Sequence, residues 1–169
     1  HTNHVWCLII DDGKLYSASR DRTIKIWNCS TDTLIKTLTG QTGAVLCLTI
    51  NDGMLYSGSY DRSIKVWNCS NHELITTLGV PEEQDEEGEY EGHAESVWCL
   101  TINYGKLYSV RWDCSIKVWD CGTNKLITTL TEHTDPLSRL RIHGGKLYSQ
   151  QARNHVIKVY DCSDDTLIT

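Results

Sequence analysis

The chain repeats itself at a spacing of about forty residues, and this period limits the folds that it can adopt. Residues 11–35 and 51–75 align without gaps and are identical at 16 of 25 positions. A third copy covers residues 103–127, and a fourth covers residues 143–168 with one extra residue in its middle. Units of this size cannot bury their apolar faces alone and become stable by stacking on one another. The sequence therefore predicts a repeat array.

Each unit contains four short segments that favour β-strands, separated by turn signals. In the first unit these segments are 4–10, 14–19, 23–28 and 34–38, and Asp12-Gly13 lies between the first two. An Asp-Gly pair between such runs is a strong hairpin signal, because Gly tolerates a positive φ. No segment carries a sustained apolar stripe with the 3.6-residue period of a helix. The predicted class is all-β, with four antiparallel strands in each unit.

The net charge of −6 comes from one short segment. Seven acidic residues lie within residues 82–91, and without them 15 acidic residues face 16 basic ones. The repeats themselves therefore lack the broad basic face that nucleic acid or anionic lipid would need. No apolar run reaches the length of about 18 residues that could span a membrane. We expect neither nucleic acid nor membrane as a partner, and we expect residues 79–92 to form an acidic, disordered loop.

The eight cysteines do not indicate disulfides or a metal site. Seven of them occupy two repeated positions, so their number reflects duplication rather than pairing. The first set is Cys7, Cys47 and Cys99, and the second is Cys29, Cys69, Cys121 and Cys162. No CxxC or HxxxH spacing is present, so we expect no metal and no cofactor. Small reduced thiols fit a cytoplasmic, intracellular protein.

A second signature lies at the end of the third strand of each unit. It reads Trp27-Asn28, Trp67-Asn68, Trp119-Asp120 and Tyr160-Asp161, and Gly92-His93 precedes the third of these pairs. These motifs resemble WD-repeat β-propeller blades, and are similar to the WD domains of ubiquitin-ligase-associated and TRAF-type proteins. The resemblance covers the chain outside the acidic segment. It implies four propeller blades at residues 1–40, 41–78, 93–131 and 132–169.

The resemblance also implies a buried polar network in each blade, made by a His, a tight-turn Asp, a strand Ser and the Trp. The matching positions are His1, Asp21, Trp27, Asp61, Trp67, His93, Asp113, Trp119 and His133. Blade two lacks the His, and blade four has Tyr160 and Asn154 for Trp and Asp, so we expect blade four to be the softest. Ser, His and Asp also form hydrolase triads, but a set that recurs in every blade is structural. We therefore expect no enzymatic activity.

In WD-repeat proteins, partners often bind at one rim of the central channel. Two sets of positions carry this role over to the present sequence: Trp6, Leu46, Trp98 and Ser138 on the innermost strands, and Arg20, Tyr60, Trp112 and Arg153 before the tight turns. Their aromatic and arginine content is typical of interface hot spots. The alternative is that the aromatic residues fill the channel. Among the aromatic residues, we expect Trp6 and Trp98 as core residues and Trp112 as the contact to a partner.

Four blades predict an open arc, because rings of this family usually have more blades. An open arc leaves an apolar face bare at each end. A homodimer would cover both faces and form an eight-bladed ring with two-fold symmetry. The alternative is that the chain is part of a larger propeller.

The expected function is a non-enzymatic scaffold that binds a protein or peptide at the rim. The alternatives are a purely structural element that assembles a ring without a rim ligand, and the substrate-recognition part of a ubiquitin ligase.

Overall fold

The structure is a computed structural model that describes residues 1–79, 96–111, 113–154 and 156–169. The acidic segment beyond Gly79, His93 and Trp112 lie outside these ranges. The described residues contain no helix, and hence no helix that could cross a membrane. The strands of the first two blades are β1 (Val5–Asp11), β2 (Lys14–Ser19), β3 (Ile24–Asn28), β4 (Leu34–Leu38), β5 (Val45–Asn51), β6 (Met54–Ser59), β7 (Ile64–Asn68) and β8 (Leu74–Leu78). The strands of the last two are β9 (Val97–Asn103), β10 (Lys106–Arg111), β11 (Ile116–Asp120), β12 (Leu126–Leu130), β13 (Leu137–His143), β14 (Lys146–Gln151) and β15 (Ile157–Asp161).

The strands form four antiparallel sheets in which consecutive strands are neighbours, so the all-β prediction is confirmed. Each hairpin between the first two strands of a sheet turns over two residues with positive φ, for example 44° at Asp12 and 68° at Gly13. Positive φ at both central residues defines the type I′ turn, whose twist matches that of the flanking strands. The turn signals in the sequence therefore set the register of each sheet.

The fourth sheet departs from the predicted four strands. It contains β13, β14 and β15, and the segment after β15 adds only an isolated bridge between Tyr160 and Leu167. The backbone N–H of Ile168 still donates to the carbonyl of Val159 at 2.7 Å. Only Ile168 and Thr169 follow Leu167 in the sequence, which is too short for a ladder like that of β4 or β8.

The core consists of three layers, each lying between two successive blades. The side of a sheet that packs on the following blade is here called its forward face, and the side that packs on the preceding blade its rear face. Between blades one and two, the forward face contributes Tyr16, Ala18, Ile24, Ile26 and Leu38, and the rear face contributes Val45, Leu48, Leu55, Trp67 and Cys69. Equivalent residues form the other two layers. Each blade is thus held mainly by its neighbours.

The two ends of the array carry faces that no blade of this chain covers. On the rear face of blade one, Val5, Leu8 and Ile10 are 46%, 62% and 68% exposed. Their equivalents Val45 and Leu48 in blade two are 0% and 6% exposed. The four sheets therefore form an open arc, with an apolar face at its first blade.

Candidate protein-binding rim

A chain of hydrogen bonds links the third strand of blade one to its tight turn. The indole N–H of Trp27 donates to Ser17 Oγ at 2.9 Å, and Ser17 Oγ lies 2.7 Å from His1 Nε2. His1 Nδ1 in turn lies 2.8 Å from Asp21 Oδ2. With the imidazole proton on Nδ1, the Ser17 hydroxyl donates to Nε2 and every polar atom of the chain is paired. The network thereby fixes the tight turn against the sheet.

The tight-turn Asp closes the turn through further hydrogen bonds. Asp21 accepts from the Thr2 backbone N–H at 2.9 Å and from the Thr23 hydroxyl at 2.6 Å. Burial acts to raise the pKa of Asp21, but the hydrogen bonds from Thr23 and Thr2 outweigh it and lower the pKa. The same balance lowers the pKa of Asp61. Both carboxylates are therefore held ionised as part of the scaffold.

In blade two, Gln41 takes the place of the missing His. With its amide nitrogen toward the turn, Gln41 donates to Asp61 Oδ2 at 2.8 Å and accepts from Ser57 Oγ at 3.0 Å. The Trp67 indole donates to the same Ser57 hydroxyl at 2.9 Å. Donors and acceptors therefore follow the same order as in blade one, and Gln41 completes the network although blade two lacks the His.

Blade three retains the two ends of the network within the described residues. The Trp119 indole N–H donates to Ser109 Oγ at 2.9 Å, and Asp113 accepts from the backbone N–H and hydroxyl of Ser115 at 3.0 and 2.7 Å. His93, the predicted middle member, lies outside the described residues.

Blade four builds a different network, in which Tyr160 has a hydrogen-bond partner of its own. His133 lies between Ser149 Oγ and Gln151 Nε2, at 2.8 Å from each. The hydroxyl of Tyr160 donates to Glu132 Oε2 at 3.2 Å. Asn154 bonds to Asp135. Substitution of the usual Trp and Asp is thus compensated by groups from the segment that precedes β13.

We expect Tyr160→Phe to lower the free energy of unfolding by about 1 kcal/mol, because one partly buried hydrogen bond to Glu132 is lost while ring packing is kept. Urea unfolding monitored by circular dichroism would measure the change. Glu132→Gln keeps an acceptor for the Tyr160 hydroxyl and serves as the control. No loss in Tyr160→Phe would show that the bond to Glu132 does not contribute to stability.

The predicted rim residues of the innermost strands all lie at β-bulges. The register shifts by one residue at Trp6, Leu46, Trp98 and Ser138, at the start of β1, β5, β9 and β13. A bulge leaves its extra residue unpaired and bends the strand locally. In the open arc, Trp6 is 54% exposed and Trp98 is 37% exposed. Ser138 is exposed and Leu46 is half-buried.

The second predicted set lies beside the first at the same end of the sheets. The backbone N–H of Arg20 donates to the carbonyl of His4 at 2.8 Å, and Tyr60 makes the same bond to Ala44. Both side chains are exposed, Tyr60 by 63%. In blade four this backbone bond is made by Ala152, so the extra residue of the fourth repeat shifts the exposed Arg153 one position along. Trp112 lies outside the described residues.

Arginine is concentrated at this end of the molecule. Two of these arginines lie outside the eight rim positions predicted from the sequence. Arg22 and Arg62 are exposed in the tight turns next to Arg20 and Tyr60. The acidic residues of these turns, Asp21 and Asp61, are engaged in the buried networks. The rim is therefore both cationic and aromatic.

Neither the networks nor the cysteines form a reactive site among the described residues. The order Ser17–His1–Asp21 matches that of a hydrolase triad, but Ser17 is only 4% exposed and also accepts from Trp27. A buried hydroxyl cannot reach a substrate. No group of three His, Cys, Asp or Glu side chains in the described ranges could hold a metal ion. All eight cysteines are free thiols.

Comparisons with known proteins agree with this architecture. The WD40 family (WD domain, G-beta repeat) matches residues 1–28, 32–68 and 84–120, which is more than half of the chain. The computationally designed Ika4 protein superposes with a TM-score of 0.82 at 25% identity, over 95% of this chain and 92% of Ika4. The TM-score is 0.85 for U3-55K and for the WD40 repeats of RRP9, each 23% identical, over 99% of this chain. The chain spans about half the length of these two chains, 52% and 51%.

The repeated Trp, Ser and Asp positions, the four antiparallel sheets and the match to the family model all lead to one conclusion. The chain belongs to the WD40 family of repeat proteins.

Proposed function

We propose that this chain is a non-enzymatic scaffold that binds a protein or peptide at the rim formed by the bulge residues and the tight turns. WD40 domains generally serve as protein–protein interaction scaffolds, which supports the class of function. The observation that favours the rim is the exposure of Trp6, Trp98 and Tyr60 at one end of the sheets, next to turns that the buried hydrogen-bond networks hold in place. Exposed aromatic side chains on a rigid support lose little conformational entropy when they bind.

The charge of the rim favours a particular class of ligand. Arg20, Arg22, Arg62 and Arg153 are exposed around the aromatic residues, while the carboxylate of Asp21 is engaged in hydrogen bonds within the fold. Guanidinium groups pair with carboxylates through two parallel hydrogen bonds. A peptide that combines acidic and apolar side chains would therefore complement this surface better than a basic one.

A peptide array tests this function. We expect Trp6→Ala and Arg20→Ala each to weaken the binding of acidic, apolar peptides by about tenfold or more, as hot-spot truncations do. Neither variant removes a side chain of the buried networks, so the melting temperature should change little. Trp112→Ala, at a position assigned from the sequence, belongs in the same panel.

Tyr104→Ala is the matched control, because Tyr104 is an aromatic residue that is 93% exposed in the hairpin turn at the opposite end of β9. Its loss should leave peptide binding unchanged. Binding that is insensitive to Trp6→Ala and Arg20→Ala, or equally sensitive to Tyr104→Ala, would rule out the rim as the site. The absence of any bound peptide would favour the purely structural role.

The open ends of the array support a second proposal, self-association of two chains into a closed ring. The rear face of blade one exposes Val5, Leu8 and Ile10, whereas the positions equivalent to Val5 and Leu8 are buried in every blade that has a preceding blade. Such a ring and a rim ligand are compatible, because the rim lies at the edge of the sheets and not on their faces. Presentation of a substrate to a ubiquitin ligase is one form that rim binding would take.

A further inference from the structure

One of the three junctions between blades contains a hydrogen-bonded ion pair at its outer part. Lys106 Nζ at the start of β10 lies 2.7 Å from Asp165 Oδ2 of blade four, and the hydroxyl of Tyr108 donates to Asp165 Oδ1 at 2.9 Å. Lys106 also donates to the backbone carbonyl of Cys162 at 3.1 Å. The carboxylate side chain of Asp165 is 8% exposed, so this ion pair is largely shielded from water. It joins the forward face of blade three to the rear face of blade four.

The other two junctions lack the Asp, although Lys14 at the first of them also donates to a backbone carbonyl, that of Cys69, at 3.4 Å. Between blades one and two, Lys14 faces His72, and burial together with the nearby Lys14 charge lowers the pKa of His72. Between blades two and three the positions hold Met54, which packs into the core layer, and Asn124. The combination of Lys and Tyr with Asp therefore distinguishes one junction from the others and is not a general property of the repeat.

The two open ends of the array carry residues equivalent to the two sides of that ion pair. Lys146 and Tyr148 stand on the forward face of blade four at the positions of Lys106 and Tyr108. Asp32 follows β3 of blade one at the position of Asp165, with a φ of 54° against 60°. Lys146 and Asp32 are exposed, and Tyr148 is half-buried where Tyr108 is 1% exposed.

We propose that the open rear face of blade one is an interaction surface for blade four of a second copy, with Lys146 and Tyr148 of one chain bound to Asp32 of the other. This inference rests on the proposed self-association and specifies its register. The junction repeats the contact that blade three makes with blade four within one chain. A head-to-tail junction of this kind closes into a ring when two copies complete the turn. Two chains together also have about the length of the U3-55K chain, of which this chain covers 52%.

One position on the forward face of blade four opposes close packing. Gln150 stands where the other blades have Ala18, Gly58 and Val110. A side chain added at Gly58 would come within 2.7 Å of Val97 Cγ1, and Val5 is the equivalent of Val97 in blade one. Arg139 and Arg141 are also exposed on β13. The aliphatic part of each side chain can pack against the second copy while its guanidinium group stays in water. The new junction is therefore weaker than the internal ones, and Gln150→Val should tighten it.

Sedimentation velocity of the 19.2 kDa chain over a range of concentrations tests the register. We expect the wild-type chain to dimerise, and Asp32→Lys or Lys146→Asp alone to raise the dissociation constant by about tenfold or more, because each places like charges together at both junctions. A mixture of these two single variants should associate like wild type, because each junction of the mixed dimer then pairs Lys with Asp. Gln150→Val should lower the dissociation constant.

Asp52→Lys is the control for the charge change, because Asp52 also has a positive φ, 47°, but lies in the hairpin turn between β5 and β6. Circular dichroism would show that each variant remains folded. A wild-type chain that stays monomeric would overturn self-association and this inference together, without bearing on rim binding. A dimer that is indifferent to both charge reversals, or a mixture that fails to recover, would overturn the register alone.

Discussion

Trp119→Ala is expected to lower the free energy of unfolding by about 3–5 kcal/mol, the range for truncation of a large buried aromatic side chain. Trp119 is 2% exposed and packs in the layer between blades two and three, beside Val97 and Leu107. Its indole N–H also donates to Ser109 at 2.9 Å. Truncation would leave a cavity and remove a hydrogen bond within a layer that two blades share.

Trp27→Ala is the matched control, because Trp27 makes the same 2.9 Å bond to Ser17 but lies on the open rear face of blade one and is only half-buried. Its loss should cost clearly less in the monomer. Chemical denaturation of both variants at low protein concentration would measure the difference. Equal losses would mean that the hydrogen bond, rather than burial between blades, dominates the contribution of this Trp.

The contrast between Trp119 and Trp27 also shows how far the sequence alone could lead. The forty-residue period and the Asp-Gly turns predicted the all-β class, the strands and the stacking of blades. Both signals can be read from short stretches of sequence, because turns and strand patterns depend on neighbouring residues. Neither signal distinguishes two identical positions in different blades. Their difference in burial depends on whether another blade precedes them, and that is a property of the assembled arc.

Compensation within the networks could not be predicted from single positions. Blade two lacks the His, but the amide of Gln41 donates to Asp61 and accepts from Ser57 in the same order. Blade four lacks the Trp, but the hydroxyl of Tyr160 donates to Glu132. In each case the hydrogen-bonded residues are distant along the chain, and they come close together only when the sheet has formed. A polar group can be satisfied by any neighbour with the right donor or acceptor.

The rim positions illustrate a third limit. The aromatic content of Trp6 and Trp98 fitted both a filled channel and a contact surface. In the open arc both residues lie at β-bulges and are exposed, which supports the contact surface proposed above. A bulge depends on pairing between two strands, and so its register is not written in either strand alone. In the fourth repeat, the inserted residue moves Arg153 one position along from the equivalent of Arg20, which is Ala152.

Lowering the pH from 7 to 4 is expected to destabilise the protein through His133, by roughly 3 kcal/mol when complete. The pKa of His133 is lowered from 6.5 to about 4, mainly by burial and also by the charge of Lys158, while Glu132 acts in the opposite direction. The folded state therefore binds this proton more weakly than the unfolded chain does. The contribution of the neutral imidazole is complete above the unfolded pKa of 6.5 and is lost as the pH falls toward 4.

His133→Gln separates this effect from the rest of the titration, because Gln41 shows that an amide can serve at this position of the network. The variant should be folded at pH 7 and should lose little stability between pH 6.5 and pH 4. His72→Asn is the companion variant, because burial also lowers the pKa of His72 and adds a smaller loss in the same range. The carboxylates Asp21 and Asp61 titrate below their usual range and act only at lower pH. Urea midpoints at several pH values would measure both variants against wild type. An unchanged pH dependence in His133→Gln would mean that the fold does not lower the pKa of His133.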